Sequence, residues 1–583
     1  MARGEVPFVL LDDAFSGRGT LLTDLTDIVE VDLNSLDAAL VNGWQRGLHC
    51  FVWLPYDLGE AHLRLRDTGV GAVFRFAERR EIDAGSWLAD TAPNEPAGVV
   101  SPEPAWNEDV FTDRVAAVHQ AIRRGDTYQV NLTFPIRADR YGHPIDLYRR
   151  LRDRQPTEYA VLAHLPSPAP SWTLGLSPEL FLQVDSDGTV RCTPMKGTAR
   201  ADEIDDPTTL AADPKNRAEN VMIVDLLRND LGQVAQPGSV AVTSLFDVSR
   251  VGDLWQMTST VEALATPGTL PGALMRAAFP CGSITGAPKS SSMAVIRALE
   301  DTPRGGYTGS MGLLEPAEGP LGWKSSLNVA IRTVEIDDDA LRLGVGAGIT
   351  IGSDPTAEYR ECLAKGSFLT GLAPQFSLIE TILVDDGRAP RLAGHTSRLR
   401  ASAAALGFPE LDASALLTDA LATVPSKGTH RARVEVAPDG RASIAHAPMV
   451  PSSGNPILIT LAPQPWRPDA LSRHKTTRRA ALDQAWRDAD AAGAFDALGT
   501  DADGYLLEGG RSSVFVLIDG VWRTPPLARG VLDGVARAEI LEHGSLFGRP
   551  ATEGDVTIDE LRSADGLVVA NALRGAMWAR LVV

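Results

Sequence analysis

Apolar positions between Val110 and Arg123 recur at helical spacing, while Tyr128 to Ile136 reads as a strand. Alternating patterns predict further strands at Trp172–Leu174, Leu180–Val184 and Leu327–Val334, with helices between them. That order predicts α+β layers, not a regular alternating βα winding. Asp83 to Trp106 is rich in Pro, Ala, Gly and acidic residues, which predicts a loop crossing between lobes. Gly371-Leu372-Ala373-Pro374-Gln375 follows a helical stretch and precedes a fresh strand-like run, Phe376 to Val384. It is the expected junction, giving one domain over 1–372 and a second over 376–583, packed together by so short a linker. Ala401 to Leu406 and Asp488 to Ala494 are alanine-rich and predict helix.

Length supports two or more domains, since 583 residues exceed a single typical core. A net charge of -20 argues against a broad nucleic-acid surface, which needs clustered Lys and Arg. Cys50, Cys192, Cys281 and Cys362 are widely spaced, with no metal-ligand pair, as expected in a reducing compartment. Pro7-Phe8-Val9-Leu10-Leu11 is too short for a signal-peptide core, and no apolar run approaches membrane-spanning length. The expectation is a soluble, cytoplasmic protein with neither nucleic-acid nor membrane partners.

Chemistry enters through two helix starts. Asp213-Pro214 and Asp354-Pro355 each set a capping carboxylate before a proline, the favoured pair at a helix N-terminus. The first helix then carries Glu219. The second carries Glu358, Glu361 and Lys365, whose spacing puts them on one face. Oxygen ligands of this kind suit a hard cation such as Mg2+. On spacing alone, a solvated face with an ordinary Glu361–Lys365 pair is the simpler reading. Gly344-Val345-Gly346-Ala347-Gly348-Ile349 precedes this helix, and glycines inside a strand suit close approach by a ligand or another backbone. Pro280-Cys281-Gly282-Ser283-Ile284-Thr285-Gly286-Ala287-Pro288-Lys289 is a tight turn suited to an anion. It is not a P-loop, because Ala287 and Pro288 separate Gly286 from Lys289.

Further segments follow a fixed order: Asp126-Thr127-Tyr128-Gln129-Val130-Asn131-Leu132, Ser177-Pro178-Glu179, Pro194-Met195-Lys196-Gly197-Thr198, Ala218-Glu219-Asn220 and Leu227-Arg228-Asn229-Asp230. With the glycine turn, Arg304-Gly305-Gly306-Tyr307 and Ala357-Glu358-Tyr359-Arg360-Glu361, they closely resemble the chorismate-utilising enzymes. That group includes anthranilate, isochorismate and salicylate synthases and component I of aminodeoxychorismate synthase. The resemblance is strong over residues 106–370 and loose over 1–82. It implies an α/β sandwich of large antiparallel sheets, with Glu219 and Glu361 as Mg2+ ligands and Glu358 supporting through water. Lys365, Arg332 and Tyr307 match contacts to substrate carboxylates, Thr285 with the Gly346 and Gly348 backbone completes the pocket, and Glu179 matches the general acid.

Lys196 discriminates within the family. Anthranilate and salicylate synthases usually have a small residue there, whereas aminodeoxychorismate synthases typically have Lys, used as a nucleophile at carbon 2. Gln129 stands where water-using members carry a basic Lys. Such a nucleophile must be neutral, so burial or a nearby cation is expected to depress its pKa. None of the four cysteines lies on a glycine-flanked nucleophile elbow, so ammonia is expected from solution or from a separate glutamine amidotransferase subunit.

The second half carries His395-Thr396-Ser397-Arg398-Leu399, Arg473-His474-Lys475-Thr476-Thr477-Arg478, Leu506-Leu507-Glu508-Gly509-Gly510-Arg511-Ser512-Ser513 and Gly530-Val531-Leu532-Asp533-Gly534-Val535-Ala536-Arg537. The last leads into a helix over Ala538 to Glu542, whose N–H groups suit a phosphate. Together these resemble the fold-type IV pyridoxal-phosphate enzymes, which include branched-chain and D-amino-acid aminotransferases and aminodeoxychorismate lyase. The resemblance implies a two-lobed α+β domain, usually dimeric. Lys475 would form the Schiff base and Glu508 would face the pyridine nitrogen. Arg398, Ser512, Ser513, Val535 and Ala536 would grip the phosphate, and Thr381 matches the lyase's catalytic threonine. Ser513 departs from the usual Asn, and the stretch between Arg398 and Lys475 is short.

The expected function is conversion of chorismate and ammonia to 4-aminobenzoate, a folate precursor, in two steps requiring Mg2+ and pyridoxal 5'-phosphate. One alternative joins an anthranilate synthase-like half to an aminotransferase-like half. Another makes the second half a non-catalytic binding module.

Overall fold

The computed structural model describes residues 6–200, 206–251, 254–450 and 456–582, without the side chains of Thr198, Ala199, Arg200, Val251 and Leu254. Its contacts divide into two compact units. One comprises Met1–Glu95, Glu103–Ala138 and His143–Thr370, the other Pro96–Pro102, Asp139–Gly142 and Gly371–Val583.

Eighteen strands among the described residues join one hydrogen-bonded network that makes up most of the first unit's strands, and helices lie along it. The long pairs are antiparallel, as where Arg18–Val31 runs against Gly71–Asp83. Phe51, Phe74 and Phe76 are fully buried in one of its apolar clusters. The helix predicted from Val110 spans Glu108–Arg124, capped by the Asn107 side chain at one end and by Gly125 in the left-handed region at the other. The strand predicted from Tyr128 spans Gln129–Tyr141.

Two expectations are corrected here. Asp83 to Trp106 is not simply a loop. The Asp83 side chain accepts from Ser86 N at 2.7 Å, and its helix, Ala84–Thr91, buries Ala84 and Leu88. Gly98–Pro104 then forms a strand. A small apolar set was enough for the helix, while Pro and Gly dominated the composition. Leu327 to Val334 is likewise two strands, Trp323–Val329 and Thr333–Asp337. Arg332 between them has φ 49°, and a non-glycine residue in that region turns the chain sharply. The first strand pairs with Leu180–Val184 and the second with Trp172–Ser177, so apolar alternation runs across a change of partners.

The second unit has two sheets, the expected two lobes. One is three-stranded and antiparallel: Leu378–Asp385, Thr429–Val436 and Ala442–Pro448. The other is nine-stranded and mixed, with Ile457–Leu461 parallel to both Asp496–Thr500 and Gly575–Leu581. Val100 and Tyr141 join Phe376, Leu378 and Leu399 in the core of the first lobe, which explains why two short excursions from earlier in the chain belong to this unit. No helix among the described residues is long and apolar enough to cross a membrane.

Candidate active sites

The two acid–proline helix starts form as predicted. Asp213 accepts from Asn216 N at 2.7 Å ahead of the Pro214–Gly232 helix, and Asp354 accepts from Ala357 N at 2.9 Å ahead of Pro355–Thr370. The two helices bring Glu219, Glu358, Glu361 and Lys365 to one cavity of about 140 Å3. Lys365 Nζ lies 2.7 Å from Glu361 Oε1 and donates to Gly346 O at 3.0 Å. Lys215 Nζ lies 3.1 Å from Glu358 Oε1 and 4.0 Å from Glu219 Oε1. Burial raises the Glu219 pKa, and repulsion from Glu358 and Glu361 adds to it despite Lys196 and Lys215. Glu361 is held below the usual range, chiefly by Lys365.

Three carboxylates that repel one another around a cavity have the donor chemistry for a hard cation. Among the described residues, however, no three acidic, His or Cys side chains are already arranged as a metal cage. The donor set therefore fits an ion held by one or two carboxylates and completed by substrate oxygens.

Lys196 and Glu179 line the same cavity. Burial lowers the Lys196 pKa, with Lys365 acting in the same sense and Glu219 and Glu179 opposing. Burial pushes Glu179 up to about 7, although the Ser283 hydroxyl donates to its Oε1 at 2.5 Å and favours the ionised form. Each group is thus moved toward its neutral state. Gly348 makes room beside them: a Cβ there would fall 2.4 Å from Gln129 Nε2 and 3.3 Å from Lys196 Nζ.

Tyr307 and Arg332 also face the cavity. A Cβ on Gly344 would meet the Tyr307 ring at 2.2 Å, and burial brings Arg332 down to about 10. Arg332 donates to the amide oxygen of Gln256. Thr285 is placed differently. Its hydroxyl donates to the carbonyls of Cys281 and Gly282, each at 3.2 Å, and Ser283 is the hydroxyl of this turn that lines the cavity. Thr198, at the end of the Lys196 motif, has a side chain outside the described residues.

In the second unit, Lys475, Glu508, Arg398, Thr381, Ser512, Ser513, Val535 and Ala536 all line one cavity of about 640 Å3. Burial brings Lys475 down to about 7, assisted by Arg479 and Arg398. Glu508 rises to about 7 for the same reason, while its Oε1 accepts from Leu532 N at 3.0 Å. Ser512 Oγ donates to Asp496 Oδ2 at 2.6 Å. The helix predicted from Ala538 begins earlier, at Val535, and Gly534 gives it no side-chain cap. A Cβ at Gly534 would meet Ser513 Oγ at 2.7 Å, so the loop packs closely against that serine.

Arg398 is braced rather than free. Nε and Nη2 donate to Glu380 at 2.9 and 2.5 Å, and Nη1 donates to Asp533 O at 3.1 Å. Burial alone would neutralise Glu380, but Arg398 and His395 hold it ionised at about 2. A guanidinium has five N–H groups, so two remain for an anion. A lysine amine available as the free base, an uncapped helix start and a buried carboxyl fit pyridoxal phosphate.

Residues 77–371 match the family model for chorismate binding enzymes, just over half of the sequence. The chain belongs to the chorismate-binding enzymes. Residues 377–582 match amino-transferase class IV, a domain type that implies pyridoxal phosphate. This chorismate-binding enzyme is similar to an aminodeoxychorismate synthase of Streptomyces pristinaespiralis, 38% identical over 54% of this chain and 44% of that protein. It is comparably similar to an anthranilate synthase component 1 of Haloarcula marismortui, 37% identical over 51% of this chain and 61% of that protein. The chain thus spans about half the length of the curated relatives it matches. Its fold is shared with a 2,3-dihydroxybenzoate-specific isochorismate synthase from Bacillus anthracis. That structure has a TM-score of 0.52 and 20% identity, and the match covers 63% of this chain and 95% of that one.

Motif reading did not single out Ser283, Lys215, Glu380 or Asp496 for a role. Ser283 stood in a quoted turn, but which hydroxyl faces the cavity depends on the fold of that turn. Glu380 and Asp496 act through Arg398 and Ser512, contacts spanning 18 and 16 residues that no periodicity signals.

Proposed function

We propose that the first unit aminates chorismate at carbon 4 and that the second eliminates pyruvate from the product, giving 4-aminobenzoate. The observation that carries the reading is the burial of Lys196 in one cavity with Glu179. Neutral Lys196 Nζ attacks carbon 2 of the ring diene, the double bonds shift, and the carbon 4–oxygen bond breaks. Glu179 gives its proton to the departing hydroxyl, which leaves as water. Ammonia then adds at carbon 4, the double bonds shift back, and the Lys196 amine leaves carbon 2. Gln129, beside Gly348, stands where water-using members of the family carry a basic Lys, which supports ammonia over water as the incoming group. Mg2+, held by Glu219 and Glu361 with Glu358 in support, would neutralise the ring carboxylate and act as a Lewis acid. Lys365, Arg332 and Tyr307 would orient the carboxylates.

Pyridoxal phosphate bound in the second unit supplies an electron sink for bond cleavage. Lys475, near neutrality at about 7, can take a proton and return it. Arg398, Ser512, Ser513 and the N–H groups at Val535 and Ala536 would hold the phosphate, Glu508 would face the ring nitrogen, and Thr381 lies at the cavity wall for a proton transfer. Ammonia comes from a glutamine amidotransferase subunit or from ammonium salt. A homodimer through the second unit and a cytoplasmic location complete the reading.

The test supplies the purified chain with chorismate, Mg2+, ammonium salt and pyridoxal phosphate. Formation of 4-aminobenzoate and pyruvate in equal amounts is expected. Anthranilate as product would reject amination at carbon 4, and an aminated intermediate that accumulates unprocessed would reject the lyase assignment.

A further inference from the structure

The large cavity of the second unit holds more positive charge than the proposed cofactor contacts use. Arg398 and Arg479 are the cations that act on Lys475. A second basic group, Arg431, Arg511 and Arg574, is distinct from it. Arg511 and Arg431 repel the charge of Arg574, whose pKa is lowered first by burial and then by them. All three line the cavity.

This second group is built rather than incidental. Asn571 Oδ1 accepts from the backbone N–H of Leu573 at 3.2 Å and of Arg574 at 3.0 Å, fixing the turn that carries Arg574. Asn571 Nδ2 donates to Arg511 O at 3.4 Å and ties the second arginine to the same turn. The Arg511 guanidinium lies over the Phe495 and Trp486 rings, 4.3 and 4.8 Å from their centroids, and that of Arg574 lies 5.6 Å from Phe495. Arg431 reaches the cavity from the strand Thr429–Val436, on which Ala432 and Val434 turn into the core.

The positive charge is also uncompensated. Arg511 has Asp490 at 3.7 Å, but no carboxylate among the described residues pairs with Arg431 or Arg574. Arg574 Nη2 donates only to Val450 O, at 3.1 Å, and its buried Nε has no partner. A buried donor without an acceptor, here Arg574 Nε, is costly, and a chain with net charge -20 has many carboxylates it could have placed there. Two arginines that border one cavity and repel each other's charge without a carboxylate partner therefore favour an anion from solution.

We infer that Arg431 and Arg574 form a carboxylate subsite of the second unit, separate from the proposed cofactor contacts, and select an amino substrate with a carboxylate at its far end. This deepens the lyase reading and rests on it for the substrate: an amine para to a ring carboxylate would present the two groups at opposite ends. A charge-assisted bidentate contact explains why arginine, and not lysine, occupies both positions.

Calorimetric titration of the full chain loaded with pyridoxal phosphate tests this. The probes are 4-aminobenzoate, neutral 4-aminobenzamide and glutarate, each against wild type, Arg574→Gln, Arg574→Lys and Arg431→Gln. Both anions should bind wild type and weaken about tenfold or more in each Gln variant, with Arg574→Lys in between. The amide's affinity and the cofactor's absorbance should not change. If glutarate follows this pattern while wild type ignores 4-aminobenzoate, the subsite stands and the lyase reading falls. Glutarate affinity that is equal in wild type and Arg431→Gln, or cofactor loss in Arg574→Gln with an unchanged circular dichroism spectrum, would overturn the subsite.

Discussion

Replacing Ser283 by Ala removes the hydroxyl that donates to Glu179 Oε1 at 2.5 Å. That hydrogen bond favours the carboxylate, so its loss raises the Glu179 pKa further. A hydrogen bond to a charged group contributes about 1.5–3 kcal/mol. At about 1.4 kcal/mol per pKa unit, the shift is roughly 1–2 units. Glu179 starts at about 7. As the proton donor it must be protonated, so the rate falls as pH rises through its pKa. The alkaline limb of kcat/KM for chorismate should therefore move upward in Ser283→Ala, by that same 1–2 units. The assay follows chorismate consumption from pH 5.5 to 9.5 with free ammonia held constant, because ammonia itself titrates in this range. A limb that stays in place or moves down, in a variant that still turns over, would refute Glu179 as the acid whose pKa Ser283 sets.

Three further outcomes follow from the geometry. Glu361→Gln removes the carboxylate that pairs with Lys365 and belongs to the proposed Mg2+ site; the Mg2+ concentration for half-maximal chorismate consumption should rise about tenfold or more. An unchanged Mg2+ requirement counts against Glu361 as a ligand. Gly348→Ala places a methyl group against Gln129 Nε2 and Lys196 Nζ; a cost of about 1–3 kcal/mol in calorimetric unfolding should accompany loss of amination, with elimination in the second unit retained. Full amination by this variant would mean that Lys196 does not need its observed position. Borohydride reduction of the wild-type chain with pyridoxal phosphate should attach the cofactor to the peptide containing Lys475, as read by mass spectrometry, and Lys475→Ala should leave no specific label. Equally efficient labelling in the variant would remove Lys475 from the cofactor site.

The sequence by itself determined the local devices and the kinship. Asp213-Pro214 and Asp354-Pro355 start helices because capping and the fixed proline φ act within one turn, and the 3.6-residue period alone puts Glu358, Glu361 and Lys365 on one face. The ordered motifs were enough to name both families, because each motif is a contiguous stretch. What spans distance was not legible. Thr285 and Ser283 are equally plausible in the sequence of the turn, and only its folded shape turns Ser283 toward Glu179. The break at Arg332 lies inside an unbroken apolar alternation, because alternation records burial and not the change of partner strand. Arg431 and Arg574 come to line one cavity only because a strand of one sheet and a turn of another border it. Above all, the tertiary structure decided the charge states on which the chemistry depends. Glu179, Lys196, Lys475 and Glu508 are moved toward neutrality chiefly by removal from water, and burial belongs to the fold rather than to any one residue.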